Sequence, residues 1–181
     1  TIDTIGEAAF ANCYEIENLY IPASVTYIGK NAFQSCTGIK TITFAKGSTL
    51  ATVGDHAFGR NYSLTAVFTE KEENGADVPK IGLPLIEGTT QLKNGRTEYS
   101  ENGNFMFYAC NALTQIAFDD RQTSLGEGMF NECRSLTSVT LPENIKDIGK
   151  ECFYNSGLTS VTIICSQGYL ADGLSTACFV L

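Results

Sequence analysis

No run of apolar residues in this sequence approaches the roughly 18–20 positions a helix needs to cross a bilayer, so no membrane insertion of this segment is expected. Basic residues are scarce. Twelve Lys and Arg stand against 20 Asp and Glu, for a formal net charge of −8. Binding a phosphate backbone or docking on an anionic membrane needs a basic stripe, and none is visible, so nucleic acid is excluded as a partner. Histidine occurs once, as His56. The P-loop, G-x-S-x-G and H-E-x-x-H patterns are absent, as are the D-x-D-x-D-G calcium loop and any C-x-x-C zinc pair. Neither a metal ion nor a cofactor is expected. What is present is a chain of 181 residues, 43% hydrophobic and 18% charged, enough for one folded domain with a full core.

The chain repeats itself. The phrase I-G-x-x-A-F-x-x-C reads Ile5, Gly6, Ala9, Phe10, Cys13, then Ile28, Gly29, Ala32, Phe33, Cys36, a step of 23 residues. A third copy has Val53, Gly54, Ala57 and Phe58, with Asn61 in the cysteine slot. After a break the phrase returns as Gly103, Met106, Phe107, Cys110, then Leu125, Gly126, Met129, Phe130, Cys133, then Ile148, Gly149, Cys152, Phe153, Ser156. An L-x-x-L-x-L phrase follows each copy: Ile16, Leu19, Ile21; Ile39, Ile42, Phe44; Leu64, Val67; Leu113, Ile116, Phe118; Leu136, Val139, Leu141; Leu158, Val161, Ile163. Pro22 and Pro142 close two of these segments, as proline does at a strand end.

With Leu19, Ile21, Pro22, Val25, Ile28, Gly29, Ala32, Phe33 and Cys36 in place, the chain resembles the BspA-type leucine-rich repeat family over about residues 1–69 and 100–164. The expected fold is α/β: one right-handed solenoid domain over 1–181, of about six coils. A parallel β-ribbon lines its concave face, and short helical or 3-10 turns form its return limb. The resemblance implies a surface-exposed or secreted bacterial protein that adheres to a protein partner such as a host extracellular-matrix or cell-surface protein. It transfers no binding residues, because the shared motif is structural. Thr1 opens inside a repeat with no visible cap, so excision from a longer array is expected.

A single repeat cannot bury its own apolar face, so the coils must stack. Phe10, Phe33, Phe58, Phe107, Phe130 and Phe153 are expected to form an aromatic ladder, beside a ladder of Cys13, Cys36, Cys110 and Cys133. Equivalent side chains in a stack point in parallel, which holds Cβ atoms near 4.8 Å and beyond ordinary disulfide reach, so these thiols are read as free. The six repeat-phrase glycines are expected at positive φ or at a crowded backbone approach.

The 49 residues from Phe58 to Phe107 exceed one coil by about 26, assigned to an insertion at 70–99. Glu70–Glu73 with Asn74-Gly75 read as a solvated turn, and Lys93-Asn94-Gly95 as a β-hairpin turn. A degenerate repeat is the alternative, since Ile81-Gly82 echoes the I-G phrase. Residues 165–181 read as a degenerate repeat or cap, in which Cys165 and Cys178 are either bonded or free. Asp55-His56 could serve a nucleophile, but it fills variable slots read as exposed, so no catalytic residue is assigned and the chain is read as non-enzymatic. Outward strand positions include Asn18, Tyr20, Thr41, Thr43, Phe68 and Gln115. Small polar residues suit exposed strands without any functional reason. Tyr20 and Phe68 are the large aromatics among them, and a protein partner is expected to contact these two and the nearby insertion. The alternative role is a passive spacer that displays another domain.

Overall fold

The computed structural model describes residues 1–84, 86 and 103–164, and strand backbone at 92–93, 96–97 and 178–180. Its strands are β1 (Thr4–Ile5), β2 (Asn18–Ile21), β3 (Tyr27–Ile28), β4 (Thr41–Phe44), β5 (Thr52–Val53), β6 (Ala66–Glu73), β7 (Ala76–Ile81), β8 (Leu92–Lys93), β9 (Arg96–Thr97), β10 (Ser124–Leu125), β11 (Ser138–Leu141), β12 (Asp147–Ile148), β13 (Ser160–Ile163) and β14 (Cys178–Val180). The leucine-phrase strands pair in parallel with their equivalents one repeat on within two groups, β2-β4-β6 and β11-β13, for example Leu19 with Ile42 and Ile42 with Val67. The first residues of the I-G phrase build a second, narrower parallel ladder, β1-β3-β5 and β10-β12. The chain is therefore a solenoid whose first three and last two coils each carry two strand seams.

The return limb corrects the expectation of helical or 3-10 turns: among the described residues it holds β-turns only, and the class is all-β rather than α/β. Two residues per limb sit at positive φ, such as Ala8 and Asn12, Asn31 and Ser35, His56 and Arg60, and Phe105 and Ala109. Alternate N–H groups close turns within the coil, from Ala9 to the Gly6 carbonyl and from Cys13 to that of Phe10. The intervening groups reach the next coil, from Ala8 to the Lys30 carbonyl and from Phe10 to that of Ala32. A helix would commit every N–H to its own coil and leave none to bind the neighbour.

Close coil spacing also explains the glycine before three of the limbs, while Gly103 sits at positive φ. A Cβ on Gly29 would lie 2.6 Å from Glu7 N, and one on Gly54 or Gly149 would likewise overlap the backbone of the coil before it. At Gly6 a Cβ meets nothing within 4 Å. The phenylalanine rings stack with centroids 5.2 to 5.6 Å apart from Phe10 through Phe153. Phe33, Phe58, Phe107 and Phe130 are fully buried, whereas Phe10, with one open face, is 44% exposed and Phe153 is half-buried. Cys36, Cys110, Cys133 and Cys152 are buried free thiols and Cys13 is half-buried and free. The cysteine slot is more than filler. The Sγ of Cys36, Cys110 and Cys133 donates to the carbonyl of Phe10, Phe58 and Phe107, one coil back. Asn61 does the same with its amide to Phe33 at 3.2 Å.

The ribbon is not continuous, which corrects the expectation of one parallel sheet through all coils. Phe107 stacks on Phe58 and Thr114 N–H reaches the Thr65 carbonyl, so coil four does follow coil three. Beyond Thr65, however, β6 runs on past the coil and turns back as β7, which takes its free edge. Gly82 N–H bonds to Val67 and Leu83 N–H to Ala117, so the returning chain lies between the two coils. Leu113–Asp119 forms no strand as a result. Glu70–Glu73, read from sequence as part of a turn, is strand; the two-residue loop is Asn74-Gly75, both at positive φ. The insertion re-enters the core through Leu83 and Ile86. Buried Gln122 holds it there, accepting from Ile86 N–H at 3.2 Å and donating to the carbonyls of Ile86 and Ser124. Further on, β8 pairs antiparallel with β9, and β14 antiparallel with β13. The remainder of 85–102 and of 165–181, including Cys165 and the side chain of Cys178, lies outside the described residues.

Candidate interaction surface

Period-two alternation sends Leu19, Ile21, Ile42, Phe44 and Val67 inward and leaves the residues between them facing out. Register brings five of the six candidate binding residues together. Asn18, Thr41 and Ala66 form one row; Tyr20, Thr43, Phe68 and Ile81 form the next. Thr41 donates to the Asn18 side chain at 2.8 Å. Tyr20 is 53% exposed, and Phe68 is half-buried between Thr43 and Ile81. Phe68 is thus a floor for the row rather than a free anchor. Gln115 is exposed but belongs to coil four, on the far side of the inserted β7, and does not join the patch.

The same alternation continues along the β6-β7 arm and sorts its charges. Glu70 and Glu72, with Asp77 opposite Glu72, lie on the face of Tyr20 and Phe68. Lys71, Glu73 and Lys80 lie on the other, where Lys80 pairs with Glu73. The outward carboxylates are tied to the solenoid. Tyr20 donates its hydroxyl proton to Glu70 at 3.1 Å, and Lys46, from the loop after β4, bridges Glu72 at 2.6 Å and Asp77 at 3.0 Å. Loss of water contact, the bond to Glu70 and the charges of Glu70 and Asp77 push the Tyr20 hydroxyl above its usual range; bonds to Glu72 and Asp77 raise the Lys46 ammonium.

Sequence reasoning named Tyr20, Phe68 and the insertion at 70–99, but not Lys46 nor the individual carboxylates Glu70, Glu72 and Asp77. The signal was there: Phe68-x-Glu70-x-Glu72 keeps strand period beyond the coil, and Asn74-Gly75 is a preferred two-residue hairpin loop.

His56 is half-buried, which corrects its reading as an exposed slot. It stacks on Phe105 with centroids 5.1 Å apart, edge-on to Tyr108, and its Nδ1 is buried without a hydrogen-bond partner. Burial pushes its imidazole below the usual range despite the carboxylate of Asp55. The ring is a packing element between coils three and four. Among the described residues no three His, Cys, Asp or Glu side chains are grouped to hold a metal ion, and no helix is long and apolar enough to cross a membrane.

Six stacked copies of one strand-and-turn unit define the class of repeat solenoids. Residues 1–78 and 77–178 match the family described as BspA type leucine-rich repeat region, in six copies, and the chain belongs to this family. No curated protein matches the sequence. Among solved structures, the leucine-rich repeat protein of T. pallidum shares 20% identity at a TM-score of 0.59, over 87% of this chain and 62% of that one. A leucine-rich cell surface protein from Faecalibacterium prausnitzii A2-165 shares 25% identity (TM-score 0.49, 91% of this chain and 43% of that one). A leucine-rich repeat protein from Bacteroides ovatus shares 22% (TM-score 0.48, 88% and 43%). The chain spans 62% of the first of these and 43% of the other two.

Proposed function

We propose that this chain is a non-enzymatic, protein-binding adhesion module of a cell-surface or secreted bacterial protein. Its partner contacts the outward face of β2, β4 and β6. The observation that carries this reading is the in-register row of Tyr20, Thr43, Phe68 and Ile81 on an open sheet. Tyrosine is enriched among the few residues that carry most of the binding energy at protein interfaces. Family membership supports the wider setting of surface display and attachment to a host extracellular-matrix or cell-surface protein.

The test is retention of purified extracellular-matrix proteins on the immobilised chain, compared with the Tyr20→Ala/Phe68→Ala double variant. Loss of roughly tenfold or more in affinity is expected when the Tyr20 anchor and its Phe68 floor are both removed, with far-ultraviolet circular dichroism unchanged. Equal retention by both proteins would remove this face from the account. Absence of any retained protein would favour the passive spacer.

A further inference from the structure

From the arm's charge separation, and resting on the docking face just proposed, we infer that the partner is basic. A lysine or arginine of the partner seats among Glu70, Glu72 and Asp77 while an apolar neighbour rests on Tyr20 and Phe68. Three carboxylates share the outward face of the arm with one ammonium, that of Lys46, and the remaining arm cations, Lys71 and Lys80, are turned to the opposite face by strand alternation. The outward face therefore keeps a surplus of negative charge beside an apolar row.

Lys46 shows what such a site accepts. Its Nζ sits 2.6 Å from Glu72 and 3.0 Å from Asp77, and its backbone N–H lies 3.4 Å from Glu70 Oε2. It arrives from a separate loop, so the chain's own ammonium occupies the place of the partner's. The ring of Tyr20 is positioned by its bond to Glu70 and stands 53% exposed, and an exposed tyrosine ring can receive a cation. Alternating basic and apolar residues in an extended segment would meet both rows at once. Pro79, in the exposed strand of the arm, removes one backbone donor and disfavours simple strand addition along that edge. Contact is therefore through side chains on the sheet face.

The probe is a capped ten-residue peptide of alternating Lys and Leu, with a Glu-Leu peptide of the same length as control, titrated against the folded chain by fluorescence anisotropy. Saturable binding of the Lys-Leu peptide is expected, weakened about tenfold by Glu70→Gln/Glu72→Gln/Asp77→Asn and by raising salt from about 0.05 to 0.5 M. Lys46→Ala separates a binding site from a mere tether: it removes the internal competitor and should tighten the Lys-Leu peptide several-fold. Equal binding of both peptides, lost in Tyr20→Ala/Phe68→Ala, would overturn the basic-partner inference and leave the docking face standing. Failure of the Lys-Leu peptide to bind, or binding unchanged by the carboxylate substitutions, would also overturn the inference.

Discussion

At the scale of single residues, position within the stack decides cost. Phe33 has a ring on each side and Phe10 on one only. Phe33→Ala should lose about 3–5 kcal/mol in urea unfolding, as for other fully buried aromatics, and Phe10→Ala about 1 kcal/mol. Equal losses would contradict the ladder. The cysteine slot gives a second contrast. Asn61 donates well but leaves its Oδ1 buried with no partner. Asn61→Cys should restore the thiol donor, remove that orphan acceptor and raise stability by about 1 kcal/mol. Burial pushes the thiols of Cys133 and Cys152 up to about 12. In the native state iodoacetamide at pH 8 should spare both and label half-buried Cys13, with site-resolved mass spectrometry as the readout. These contrasts were only partly legible in sequence: the recurrence of Phe33 and Cys36 is plain, whereas the bond from Cys36 to Phe10 needs the coils already stacked.

At the scale of elements, the return limb and the arm diverge most from what the sequence announces. Turn residues such as Gly6 and Asn12 do not distinguish a helical turn from a run of β-turns, because both are local and compact. The decision is made by the neighbouring coil, which claims every second N–H. Gly54 marks that closeness: Gly54→Ala should cost several kcal/mol by forcing the coils apart, where Gly6→Ala should cost almost nothing. The arm was hidden for a different reason. The charges of Glu70–Glu73 and the loop at Asn74-Gly75 read as solvated turn, although their alternation is that of a strand. His56 belongs to the seam between coils three and four, and its imidazole value is depressed on folding. The unfolded state then takes up more protons there, so the contribution is present at neutral pH and is lost as pH falls below the ordinary histidine value of 6.5 and on through the depressed folded one. A shallower decline of unfolding free energy between pH 7 and 5 in His56→Phe would show it; an unchanged slope would exclude it.

At the scale of the whole molecule, the fold was legible because nearly every recurring residue faces the core, and the proposed interaction surface was largely illegible for the same reason. Tyr20 and Phe68 stood out only as large residues where small ones prevail. Their grouping with Lys46, Glu72 and Asp77 depends on an insertion that leaves the coil, reverses at Asn74 and closes the ribbon's edge. The central claim is that this grouping is the molecule's binding surface. A random peptide library panned against the folded chain tests it most directly, because it makes no assumption about the partner. The account predicts recovered peptides rich in basic and apolar residues that bind the native chain and lose that binding to Tyr20→Ala/Phe68→Ala. Recovery of peptides that bind the double variant as well as the native chain would contradict it.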